Sequence, residues 1–167
     1  GLMANDMQAM YGILNGTCNF ILTEMIQHGR TYDDVLAEAQ KLGYAEADPT
    51  LDVGGHDTAS KIAILASLAF GVKIDPKDVL TRGIDGLALA DVQAGSELGY
   101  DMKLLGIAQR FEDQSVGIAA EPCFIAHKAM LAQVSGVYNA LSVYGHSVGH
   151  TLYYGQGAGR FPTASAV

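Results

Sequence analysis

Gly43-Tyr44-Ala45-Glu46-Ala47-Asp48-Pro49-Thr50-Leu51-Asp52-Val53-Gly54-Gly55-His56-Asp57-Thr58-Ala59-Ser60-Lys61 runs straight into the uncharged stretch IAILASLAFGV, Ile62 to Val72. Four carboxylates, a histidine and a lysine are thereby set against one very apolar segment. Its only polar residue is Ser67, so the spacing predicts a helix opening near Asp57 that is apolar nearly all round and buried. Lys61 is then expected out of bulk solvent, and Asp57, four residues earlier, lies one turn along the same helix face, where a carboxylate can hold an ammonium. Pro49, Gly54 and Gly55 forbid a continuous helix upstream, so Glu46 and Asp52 fall on a loop that carries acids to that helix N-terminus. The expected product is a polar pocket rimmed by carboxylates and one lysine, and Lys61 is the residue to which chemistry is assigned.

The same residues admit two plainer accounts. An Asp and a Lys at this spacing also form a surface pair worth about 0.3 to 0.5 kcal/mol. Asp52, His56 and Asp57 are all possible metal ligands, yet neither a calcium-loop pattern nor a His-Glu-x-x-His run is present, so no metal is expected.

Composition narrows the class. With 167 residues, 49% hydrophobic and 17% charged, the chain can bury a real core and reads as one folded domain. No eighteen-residue apolar run points to a membrane span. Eighteen acids against ten bases leave a net charge of −8, which repels a phosphate backbone and argues against nucleic acid as a partner. Cys18 and Cys123 have no paired spacing and read as reduced thiols of a cytoplasmic protein, Cys18 more readily as a small buried thiol than as a nucleophile. No signal-peptide pattern opens the chain.

The organisation follows from turn signals. A short strand is expected over Met10 to Leu14, a turn at Asn15-Gly16, and a helix from Thr17 to His28 closed by Gly29. Thr31 is expected to cap a second helix, with Asp34 three residues on and Val35, Leu36, Ala39 and Leu42 as its buried stripe up to Gly43. After the apolar helix come a helical turn at Pro76 to Leu80 and an extended segment over Thr81 to Leu89. Strands are expected over Tyr100 to Phe111, Ser115 to Ile125, Gly136 to Val143 and Val148 to Tyr154, with a helix from His127 to Val134. Helices first and strands after predict an α+β fold, helices packed on one face of a mixed, largely antiparallel sheet. A last helix begins near Pro162 and is expected to be cut within 162–167, the chain reading as a piece of a longer protein.

Taken together these segments resemble a known family. Tyr11-Gly-Ile-Leu-Asn-Gly-Thr-Cys-Asn-Phe20, Ala39-Gln-Lys-Leu-Gly-Tyr-Ala-Glu-Ala-Asp-Pro49, Asp52-Val-Gly-Gly-His-Asp57 with Lys61, Lys103-Leu-Leu-Gly-Ile-Ala108, and Gly155-Gln-Gly-Ala-Gly159 with Pro162-Thr-Ala-Ser-Ala-Val167 are similar, in order, to homoserine dehydrogenase. The resemblance covers residue 2 to the end and corresponds to that enzyme's substrate-binding and dimerisation region. The family's nucleotide-binding domain, a second lysine and a backbone site for a monovalent cation are then expected upstream.

The resemblance implies NADPH- or NADH-dependent reduction of L-aspartate 4-semialdehyde to L-homoserine in the aspartate route to threonine and methionine. It assigns proton donation to Lys61, substrate contacts to Glu46 and Asp57, and closure of the pocket to Thr17, Gly16 and Tyr44. It places Gly155, Gly157 and Gly159 against the nicotinamide end of NADP or NAD, the rest of which the upstream domain would bind. It also implies a homodimer through the late strands, where Val116, Ile118, Val137, Tyr138, Leu141 and Val143 put apolar residues on both faces of the sheet. His127 falls where the family has a histidine, but Lys128 replaces the usual proline after it. A different class of function fits the same fold, a non-catalytic module for small-molecule binding or dimerisation. Intact Glu46, Asp57 and Lys61 favour the enzyme.

Overall fold

The structure, a computed structural model, describes residues 5–157 and 160–165. Six strands form one sheet in the order β2-β4-β3-β1-β5-β6: β1 (Met7–Ile13), β2 (Leu80–Thr81), β3 (Tyr100–Arg110), β4 (Val116–Ala126), β5 (Tyr138–Gly145) and β6 (Gly149–Gln156). Only the short β2 runs parallel to its neighbour; every other pair is antiparallel. The central β1 takes its register from both sides, Met10 lying opposite Ala108 on β3 and Val143 on β5. Those three residues head one covered face of the sheet. With Leu14, Ala120 and the α4 residues Ala59, Ile62, Ala63, Ala66 and Phe70 they form a continuous core, α4 being the helix His56–Phe70. This is the α+β arrangement expected from the sequence.

A second part of the core lies under α1 (Gly16–His28), α2 (Tyr32–Leu42) and α5 (Leu89–Glu97), where Ile21, Leu22, Met25, Val35, Val92 and Leu104 meet. Thr31 caps α2 by accepting from the Asp34 backbone N–H, while its hydroxyl donates to the Asp34 carboxylate. Gly43 ends α2 at φ 77°, a left-handed position that glycine adopts without strain. The N–H of Tyr44 then returns to the Ala39 carbonyl at 2.8 Å, and the chain turns Tyr44 and Glu46 toward the N-terminus of α1. The four-residue α3 (Thr50–Val53) carries Asp52, and α6 (Arg160–Ser165) holds Pro162 in its first turn as expected.

Four local expectations change. The helix α4 is buried on one side only: Ile64 is 60% exposed and Leu68 79%, because the sheet covers a single face of it and no other described residue covers the opposite one. The apolar run therefore reports composition, and three-dimensional packing decides which side is wet. The segment from Thr81 to Leu89 keeps only the last residue of β2, Thr81, as strand before turning into α5 at Leu89, a helix for which the sequence carries little signal. Gly95 weakens its propensity, but a Cβ there would lie 2.0 Å from the Phe124 ring, so the bare backbone lets α5 pack closely on β4. The helix expected over His127 to Val134 is one 3-10 turn, Met130–Gln133, which buries Leu131 and sets Val134 beneath the sheet. Finally, β1 begins at Met7, earlier than the expected Met10.

Candidate active site

Asn15 organises the cleft. It is the N-cap of α1, which starts at Gly16, one residue before the expected Thr17; its side-chain oxygen accepts from the Cys18 N–H at 2.8 Å, while its amide nitrogen donates to Asp52 at 2.7 Å and to Asp57 at 2.9 Å. One 6%-exposed side chain thus starts a helix and holds two carboxylates together. The signal available in the sequence was Asn immediately before a Gly-Thr helix start, the residue type that leads N-cap preferences.

Asp57 sits in the first turn of α4, where unpaired backbone N–H groups favour a carboxylate. Its Oδ2 also accepts from Lys61 Nζ at 2.7 Å, and the same ammonium donates to the backbone carbonyl of Leu14 at 3.1 Å. Lys61 stands at the end of β1 as well as on α4, held by two acceptors. Its side chain is 46% exposed and that of Asp57 30%, wetter than the buried lysine expected. As a source of stability the pair is worth about 0.3 to 0.5 kcal/mol. Its significance is that the ammonium faces an open cleft with its direction fixed.

That cleft, about 520 Å³, brings together Gly16, Thr17, Tyr44, Glu46, Asp57 and Lys61, all expected from the sequence. Thr17 closes one end by donating its hydroxyl to the Tyr44 carbonyl at 2.6 Å, with the Tyr44 ring edge-on to Phe20 at 5.2 Å. Asp52, Val137, Asn139 and Gln156 also line it, and of these only Asp52 was singled out in the sequence near the site. Gly157 borders the cleft, and Gly155 borders an adjoining hollow that shares Asn139, Gln156 and Gly157 with it. Gly159 lies outside the described residues.

Charge is lopsided here. Glu46, Asp52 and Asp57 face a single lysine. Among the described residues the Glu46 carboxylate has no hydrogen-bond partner, so it remains available to a cationic ligand group. Asp48 is otherwise engaged: its carboxylate accepts from the Thr50 N–H and hydroxyl, and is held below the usual carboxylate range by those bonds. Cys18 is fully buried against this acidic cluster; burial first, then Asp52 and Asp57, push its thiol far up, which makes it an inert core residue. His127 pairs with Asp101 at 3.0 Å and is not among the residues lining the cleft. Among the described residues no group of three His, Cys, Asp or Glu side chains is placed to hold a metal ion, and no helix is long and apolar enough to cross a membrane.

Residues 1–167 match the family model for homoserine dehydrogenase. The chain is similar to the homoserine dehydrogenase of Pseudomonas aeruginosa, with 53% identity over all 167 residues, and spans 38% of that relative's length. A homoserine dehydrogenase crystal structure from Thiobacillus denitrificans superposes with a TM-score of 0.96 at 51% identity, covering 99% of this chain and 38% of that one. A hyperthermophilic archaeal homoserine dehydrogenase mutant in complex with NADPH superposes with a TM-score of 0.80 at 26% identity, over 99% of this chain and 46% of that one.

Proposed function

Because the chain belongs to the homoserine dehydrogenase family, we propose that it is the substrate-binding and dimerisation region of such an enzyme and that its cleft takes L-aspartate 4-semialdehyde for reduction to L-homoserine. The observation that carries this reading is Lys61 Nζ, held by Asp57 and the Leu14 carbonyl at the edge of a cleft with surplus carboxylates. An α-amino acid aldehyde brings an ammonium and a carbonyl. Glu46 and Asp57 offer the ammonium its partners, and among the described residues lining the cleft Lys61 is the only cation.

A reduced nicotinamide, NADPH or NADH, supplies the hydride when bound. Gly155 and Gly157 would border its nicotinamide end, the space at Gly155 being open, with nothing within 4 Å of where a Cβ would stand. Hydride addition to the carbonyl carbon leaves negative charge on its oxygen. Lys61 stabilises that charge from a preset position and then transfers one Nζ proton to the oxygen, giving the alcohol; solvent at its exposed side returns the proton. Asp57 keeps the ammonium oriented throughout, and Asn15 keeps Asp57 from turning away. The remaining contacts to the cofactor are assigned to a nucleotide-binding domain in the rest of the protein, consistent with the 38% of the relatives' length that this chain spans. We place the protein in the cytoplasm, in keeping with two free thiols, Cys18 and Cys123.

In the complete dehydrogenase, Lys61→Ala is expected to lower kcat for aldehyde reduction by roughly 10² to 10⁴ with a smaller effect on KM. Glu46→Ala is expected mainly to raise KM, because an ammonium partner acts in ground and transition states alike. Normal turnover in Lys61→Ala would remove the proton-donor assignment and return Lys61 to a helix salt-bridge role.

A further inference from the structure

Asn139 has no role in the chemistry described above, yet it touches the two features that matter most. It lies on β5 opposite Gly155 of β6, with its side chain toward the helix layer beside the end of β1. Its amide nitrogen donates to the Leu14 carbonyl at 3.2 Å, the same oxygen that accepts Lys61 Nζ at 3.1 Å. Its amide oxygen is buried and has no partner among the described residues. A buried acceptor without a donor is costly and is retained only where something else is gained. The amide cannot be turned over to relieve that cost, since two acceptors, Asn139 Oδ1 and Leu14 O, would then face each other. Its surroundings are also tight: a Cβ on Gly157 would lie 1.9 Å from Asn139 Nδ2, so only a glycine lets the chain after β6 pass beside the amide.

We propose that Asn139 is a positioning residue for the proton donor, fixing the Leu14 carbonyl that, together with Asp57, aims Lys61 Nζ into the cleft. Two amides then divide the work. Asn15 holds the carboxylate partner of Lys61, and Asn139 holds its carbonyl partner. Because position 157 has no room for a side chain beside the Asn139 amide, the segment expected to meet the cofactor packs against the residue that holds the carbonyl partner of Lys61.

The inference rests on the Lys61 reading and is tested beside it, in the complete dehydrogenase. Asn139→Asp keeps the shape of the side chain but replaces the donor with an acceptor; Asn139→Ala removes both. With kcat, KM for the aldehyde and the melting temperature measured for each, both variants are expected to lose about ten- to a hundredfold in kcat, as a misaimed catalytic group does. KM should change less than about threefold, since the ammonium-binding carboxylates are untouched. Turnover within about twofold of the parent in Asn139→Asp overturns the proposal. So does a parallel loss of kcat, KM and folded protein in both variants, which reads as damage to β5. Lys61→Ala run alongside separates the two failures: if it retains turnover, the proton-donor reading has failed; if it is inactive while Asn139→Asp is normal, only the role of Asn139 has.

Discussion

The ammonium of Lys103 donates to the Val134 carbonyl at 2.7 Å in a place where the lysine is only 2% exposed. Its other contact is the Asn19 side-chain oxygen at 3.4 Å, and Asn19 itself donates to the carbonyls of Val134 and Tyr138. Lys103 and Asn19 thus pin the chain that leads from the 3-10 turn into β5, one wall of the cleft. Burial lowers the Lys103 pKa, with Asp101 opposing, so the folded chain binds this proton more weakly than the unfolded chain does. Stability tied to this group therefore rises with pH between the lowered pKa and the ordinary lysine value, and is lost as pH falls through the lowered pKa. Urea unfolding between about pH 7 and pH 10 should show this rise in the parent and not in Lys103→Met. Equal slopes for the two would mean that the lysine is as well solvated folded as unfolded.

Asn15 offers a test of the acidic cleft with the opposite sign. Asn15→Asp keeps an N-cap oxygen for Cys18 but sets a third carboxylate where the amide now reaches Asp52 at 2.7 Å and Asp57 at 2.9 Å. Like charges at that range raise the new carboxyl's pKa above its unfolded value. The variant is then expected to be less stable at neutral pH by about 1 to 2 kcal/mol, with the deficit shrinking as pH falls and the new carboxyl is protonated. Thermal melts at several pH values measure it; a deficit constant across pH would assign the loss to the missing amide hydrogen bonds rather than to charge.

The sheet face away from α1 and α4 is the surface through which dimerisation is proposed; of the residues named for it from the sequence only Tyr138 lies there, since Val116, Ile118, Leu141 and Val143 pack into the α4-covered core and Val137 lines the cleft. The 3-10 turn covers its middle near Leu105, but Tyr11, Ile107, Ile125 and Leu152 remain only partly buried and Tyr144 is 37% exposed. Tyr11 packs edge-on against Tyr144, which stacks on His150 at 4.5 Å, so the patch is flat and already ordered. Sedimentation at micromolar concentration is expected to give a dimer, and Tyr144→Arg a monomer, because a buried guanidinium without a partner opposes association. A monomeric parent protein would count against this face.

Much of the site was legible because its residues are tied to local rules. Gly43 after an amphipathic stripe, the Pro49 and Gly54-Gly55 breaks, and Asp57 four before Lys61 each act within one turn of chain, and the structure places Tyr44, Glu46, Asp57 and Lys61 around one cleft accordingly. Asn139 carried no such signal. Its partner Leu14 is 125 positions away, and only the pairing of β1 with β5 brings them together. The 3-10 turn at Met130–Gln133 and the helix α5 were misjudged for the same reason: Leu131 and Gly95 answer to β-strands they meet across the fold.

The sequence by itself determined the α+β class, the helices of the first half, the family and the lysine with its neighbouring acids, since periodicity, caps and breakers are properties of short stretches of chain. Tertiary structure alone decided which side of α4 stays wet, that Asn15 joins Asp52 to Asp57, and that the Leu14 carbonyl is shared by Lys61 and Asn139. Those outcomes depend on hydrogen bonds and packing between residues far apart in the chain, whose geometry exists only once the strands are paired and the helices have settled on the sheet.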